Sequence, residues 1–125
     1  MANPNIAGAS TTIYGVTAYL TPGTTAATVL LSNAASSGSV MKINQIVAAN
    51  VNGSAAVTAT VAINNLAAGA GTAFPVASTV SVPPSASLIA VDKTSAIYLM
   101  ENSSITVTSG TASGITYSIS YELIA

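Results

Sequence analysis

Residues 115–124 read ITYSISYELI, and their reading decides the fold. Ile115, Tyr117, Ile119 and Tyr121 alternate with Thr116, Ser118, Ser120 and Glu122, so a period of two puts one set on each face of a strand. Branched and aromatic side chains on one side with hydroxyls on the other describe a half-buried antiparallel strand. The pattern recurs upstream. SITVTS (104–109) turns Ile105 and Val107 inward, and AVTATVAIN (56–64) does the same with Val57, Ala59, Val61 and Ile63.

Working outward, VMKINQIVAAN (40–50) sets Val40, Lys42 and Asn44 on one face and Met41, Ile43 and Gln45 on the other. Its alternation then blurs through Ile46, Val47, Ala48 and Ala49, as expected for a central strand covered on both faces. Asn52-Gly53 suits a type I′ turn and predicts that residues 40–50 and 55–64 pair as a hairpin. TTIYGVTAYL (11–20) and AATVLLSN (26–33) flank Pro22-Gly23, which suits a type II turn and predicts a second hairpin. NLAAGAGTA (65–73) has small residues and no period, and reads as a flexible loop.

The stretch from residue 75 parses as strand PVASTVSV, break PPSA, strand SLIAV, turn DKTS, strand AIYLM and turn ENS. Asp92 caps its own turn, Lys93 sits at the tip, and Glu101-Asn102-Ser103 does the same one strand later. The charges in this region are therefore read as solvated punctuation. Eight to nine short strands with no helical segment between them describe a single antiparallel all-β sandwich, of jelly-roll or immunoglobulin-like topology. Residues 11–125 form that domain. Residues 1–10 form an unpatterned N-terminal arm.

Composition narrows the partners. Of 125 residues only five are charged, with a net charge of -1, whereas 24 Ala, 17 Ser and 16 Thr dominate. Lys42 and Lys93 are the only cations, too few to neutralise a phosphate backbone or grip an anionic membrane, so neither nucleic acid nor membrane is an expected partner. No apolar run approaches the roughly 20 residues a spanning helix needs. MANPNIAGAS lacks the basic start and apolar core of a signal peptide, which makes synthesis in a cytoplasm the expectation. A nearly uncharged domain lacks the self-repulsion that keeps proteins apart, and suits a chain packed against copies of itself or a partner.

Chemistry finds little to work with. With no His and no Cys, the chain lacks the usual acid–base and nucleophilic groups, and no catalytic, cofactor-binding or metal-ligating residue is assigned. Asp92 and Glu101 are separated by one strand and are expected at opposite ends of a sheet, too far for a paired-carboxylate site. Lys93 at a solvated tip lacks the desolvated pocket that a nucleophilic lysine needs. Of the five tyrosines, most read as core, Tyr117 and Tyr121 most clearly because they share a face with Ile115 and Ile119.

MANPNI (1–6), ASSGSVMKINQIVAANVNGSAAVTATVAIN (35–64), STVSVPPSASLIAVDKTSAIYLMENSSITVTS (78–109) and ITYSISYELIA (115–125) together resemble small virion structural proteins of tailed phages infecting cyanobacteria, of the capsid decoration, or cement, type. That resemblance implies a β-sandwich on the outer surface of an icosahedral head, often a homotrimer over junctions between hexamers of the major capsid protein. It implies a virion location after synthesis in the host cytoplasm, no cofactor, and contacts through turn tips and the arm. The contact candidates are Asn3, Pro4, Asn5 and Ile6 in the arm and Asp92, Lys93 and Thr94 at a tip. A neck, tail or fibre component, a host pilus or surface-layer subunit, and a carbohydrate-binding module are the competing readings.

Overall fold

The computed structural model describes residues 5, 7, 8, 12–95 and 97–125. Nine strands follow one another: β1 (Ile13–Leu20), β2 (Thr28–Asn33), β3 (Val40–Asn50), β4 (Val57–Asn64), β5 (Ala73–Val82), β6 (Ser87–Val91), β7 (Ile97–Leu99), β8 (Ser103–Ser109) and β9 (Ile115–Ile124). The helical content among the described residues is one short 3₁₀ turn, Ala67–Gly69. Every strand pairing is antiparallel.

One sheet has the order β1-β9-β3-β6, with β7 also on β3, and the other has the order β2-β8-β4-β5. The chain passes from sheet to sheet at six of its eight connections, staying within a sheet only between β4 and β5 and between β6 and β7. This is the double-sheet order of a jelly roll, which separates the two topologies left open by the strand pattern. β6 and β7 run along β3 in succession, opposite Ile46 to Ala49 and then Met41 to Ile43, and together fill one strand position.

Both expected hairpins are absent. β3 and β4 lie in different sheets, as do β1 and β2, and neither Gly23 nor Gly53 takes the positive φ that the expected turns require. Residues 21–27 and 51–56 instead carry the chain between sheets. The local turn signals were outweighed by long-range pairing: each of β1 and β3 finds its partner in β9, whose ten residues pair with β3 and whose last eight pair with β1.

Between the sheets lies one core. Ile43, Ile46, Leu99, Ile115, Tyr117 and Ile119 from one sheet meet Val61, Ile105 and Val107 from the other, all essentially inaccessible. Burial of a side chain of this size contributes about 1.5–3 kcal/mol. The alternation in β4, β8 and β9 points the expected residues inward. The blur in β3 has a different cause from the one expected: a register shift between Ile43 and Gln45 lets Ile43 and Ile46 both face the core. Its outward residues Lys42, Val47 and Ala49 remain half-exposed, so β3 is central within its sheet but covered on one face.

The 65–72 segment is built, not loose. It folds over the outer face of the second sheet, where Ser104 Oγ accepts from Gly69 N (2.9 Å) and donates to Leu66 O (2.8 Å). Ala68 N donates to Ser32 Oγ, and Ala67 N to Asn102 Oδ1. This cover explains why Ser104, Thr106, Ala62 and Asn64 are buried although they point away from the core. Gly69, at φ +75°, lies against Val29 Cγ2, where an added Cβ would come within 3.0 Å.

Candidate interaction surface

Sheet edges and outer faces are what the fold offers a partner, since no cleft opens among the described residues. On the outer face of the β1-β9-β3-β6 sheet, register fixes rows of side chains. Tyr19, Ser118, Val47 and Ile89 make one row across all four strands. Tyr19 is 79% exposed and Ile89 57%. A parallel row sets Gly15, Glu122, Lys42 and Tyr98 side by side, which places two of the five charges opposite one another on neighbouring strands. Between these rows Thr17 and Ser120 hydroxyls meet at 3.2 Å, and beyond them Thr21 and Thr116 meet at 2.8 Å. The face is hydroxyl-lined with apolar rings at its margins.

Three of the five tyrosines are exposed, Tyr19 and Tyr98 on this outer face and Tyr14 on the other face of β1, which corrects the expectation that most are core. Tyr14, Tyr19 and Tyr98 are exposed, Tyr121 packs half-buried against the core, and Tyr117 alone is fully enclosed. Tyr14 and Tyr19 sit on an edge strand, where one flank has no neighbour to cover a ring. Tyr117 reaches from β9 across the core: its hydroxyl donates to Thr108 O (2.5 Å) and accepts from Thr60 N (3.2 Å), joining the two sheets. Burial pushes its pKa up to about 12.

Asparagines hold the connections that frame the surface. Asn33, Asn50 and Asn64 are the last residues of β2, β3 and β4, and all three are buried. Asn50 Nδ2 donates to Ala55 O, Val82 O and Pro83 O at 2.9–3.1 Å, while Oδ1 accepts from Asn52 N. Asn33 Nδ2 donates to Ser39 O and Leu99 O. Asn64 Nδ2 donates to Gly69 O and its Oδ1 accepts from Thr106 Oγ1. The strand pattern gave no hint of this role. The one available signal was position, a polar amide closing an apolar strand just before the chain must turn away.

Of the arm residues, Asn3, Pro4 and Ile6 lie outside the described residues. Asn5 is exposed; its Oδ1 accepts from Ala7 N and its carbonyl from Gly8 N. Asp92, Lys93 and Thr94 are all exposed, in the excursion between β6 and β7. Asp92 Oδ1 accepts from Thr94 N (3.0 Å), Thr94 Oγ1 and Ser95 Oγ, and these bonds, the Thr94 hydroxyl's first, lower its pKa. The tip is thus self-bonded as expected. Glu101 differs from that expectation, because Gly38 N donates to its Oε1 at 3.1 Å and ties it to the β2–β3 connection.

The start of β1 and the Asp92 tip lie at opposite edges of one sheet. Thr12 pairs with Ala125 at the start of β1, one edge of the sheet, whereas Asp92 follows β6 at the other edge. Three strand spacings, about 14 Å, separate those edges. Asp92 and Glu101 are likewise not at opposite ends: Asp92 leaves the sheet beside Ile46, midway along β3, and Glu101 follows Leu99 near its start. Among the described residues no three carboxylate, His or Cys side chains gather as a metal site.

Searches against protein-family models, curated proteins and solved structures return no match to this chain.

Proposed function

We propose that the chain is a capsid decoration, or cement, protein of a tailed phage. It binds the outer surface of an icosahedral head through the major capsid protein and acts as a homo-oligomer, trimeric over hexamer junctions, after synthesis in the host cytoplasm. The observation that carries this reading is the surface. A closed jelly-roll core leaves eleven large apolar side chains exposed among the described residues, while the whole chain has only five charges. Jelly rolls recur in viral shell proteins, and the sequence resemblance points the same way.

The mechanism needs no reactive group. A protein that binds the assembled shell but not free subunits stabilises the shell by mass action. Weak contacts made by several linked copies sum through a high effective concentration. An uncharged contact also sets the salt response. Raising salt from 0.1 to 1 M shortens the screening length from about 10 Å to about 3 Å, and binding is expected to change by less than about twofold.

Co-sedimentation of the purified protein with expanded heads lacking it checks this reading. Saturable binding that survives high salt is expected. Failure to bind heads would remove the decoration reading, and release by moderate salt would contradict an uncharged contact.

A carbohydrate-binding module is the second reading, since jelly rolls also carry lectin sites. The exposed rings of Tyr19, Tyr98 and Phe74 are the observation behind it. They do not form a platform: β1 and β7 stand at opposite edges of one sheet, and β5 lies in the other. Saturable heat on titration with oligosaccharides would favour this reading over decoration.

A further inference from the structure

A two-sheet sandwich has four edges, and an open edge strand is a template for another strand unless something blocks it. Three of the four are blocked here. β5 carries Pro75, two register shifts and Thr79 at φ +45°. β2 is six residues long, breaks register between Val29 and Leu31, and is bonded through Ser32 Oγ to the segment over its outer face. The β6/β7 edge is split into five and three residues by the excursion that bears Asp92 and Lys93.

β1 has none of these devices. Its eight residues keep one unbroken register with β9, and they include no charge, no proline and no positive φ. Thr12 and Ala125 exchange both backbone hydrogen bonds (2.8 and 2.9 Å), which fixes the alternation along the strand. Tyr14, Val16, Ala18 and Leu20 therefore bond to β9, and the N–H and C=O of Ile13, Gly15, Thr17 and Tyr19 point off the free edge. The same four residues turn their side chains to the outer face, where Ile13 and Tyr19 are 55% and 79% exposed.

We propose that β1 is a docking edge for the β1 strand of a second copy of this chain, paired antiparallel about a two-fold axis at Val16. A second copy is the occupant because the pairing is self-complementary in three respects. Edge groups fall on odd-numbered residues, so Ile13 meets Tyr19 of the other copy and Gly15 meets Thr17, each pair able to exchange both hydrogen bonds. Outer side chains stay on the outer face, which pairs the two exposed apolar side chains of that face, Ile13 and Tyr19, twice. No charge on β1 repels its twin. The isologous contact joins copies two at a time. A trimer held by other surfaces keeps three such edges free, so edge pairing then joins trimers. This inference does not depend on shell binding.

Gly15→Pro and Tyr19→Lys test it. The Gly15 N–H points off the edge and no atom lies within 4 Å of an added Cβ, so proline there removes no bond to β9. Lysine at the exposed Tyr19 position is a natural edge blocker. Native mass spectrometry and sedimentation velocity across a wide concentration range should find an even number of copies in the wild type. Either substitution should halve that mass, weakening association at least about tenfold, with circular dichroism unchanged. A wild type that remains monomeric or trimeric throughout overturns the proposal. So does an even assembly whose mass neither substitution changes.

Discussion

Asn50→Ala lowers the unfolding free energy by about 3–4 kcal/mol, the largest loss expected from any single polar side chain in this protein. The amide does four jobs at the end of β3. Its two Nδ2 hydrogens are shared among the carbonyls of Ala55 in the β3–β4 connection, Val82 at the end of β5 and Pro83 just after it, and its Oδ1 receives the Asn52 N–H. Alanine removes all four bonds at a position 3% exposed, and of the three carbonyls Pro83 O keeps its bond from Ala86 N (3.1 Å). A domain of this size has roughly 5–15 kcal/mol to lose. Thermal unfolding should fall by about 10–15 °C. Asn50→Asp is the informative companion, because it keeps the shape but replaces the donor with an oxygen facing three carbonyls. It should be at least as damaging as alanine. If it melts near the wild type, the donor role assigned to Nδ2 is wrong.

Tyr117→Phe is expected to cost about 2 kcal/mol at neutral pH, because it leaves Thr60 N–H and Thr108 O without their buried partner. The ring and its packing stay, so the loss isolates the hydroxyl that joins the sheets. Alkali supplies a second readout. Tyr117 is held neutral by burial, with a folded pKa of about 12 against 10.0 for the free side chain. Its contribution is therefore complete below pH 10 and is lost as pH rises from there through about 12, amounting to about 2–3 kcal/mol. Urea titrations at successive pH values should show that loss in the wild type. In the Tyr117→Phe protein this component is missing, so the two stability curves should converge as pH rises. Parallel curves would mean that Tyr117 does not titrate in this way.

Much of the fold was legible because burial writes a period of two into a strand. β4, β8 and β9 alternate cleanly, and their inward residues are the core residues found. Topology was not legible, for a reason particular to this architecture. Asn52-Gly53 and Pro22-Gly23 fit hairpin turns, but a jelly roll sends most connections across the core, and nothing local says which sheet the next strand joins. The 65–73 stretch failed for a related reason. Its small residues look unconstrained alone, yet their size is what lets the segment lie close on β8 and accept Ser32, Ser104 and Asn102 as partners.

The surface was legible only in its chemistry. Asp92 is a self-capped tip, as its place at the start of DKTS predicts. Which hydrophobic residues stand outside depended on sheet order. Tyr14 and Tyr19 stand on opposite faces of one strand, and both are exposed on what proves to be an edge. The same fact makes β1 the open edge of the sandwich among the described residues.

Quantitative mass spectrometry of purified phage particles, giving copies of this chain relative to the major capsid protein, tests the central claim most directly. Decoration of the whole shell requires copy numbers comparable to those of the capsid subunit. Absence from the particles, or only a handful of copies in each, would contradict it and, in the second case, move the chain to the neck, tail or fibres.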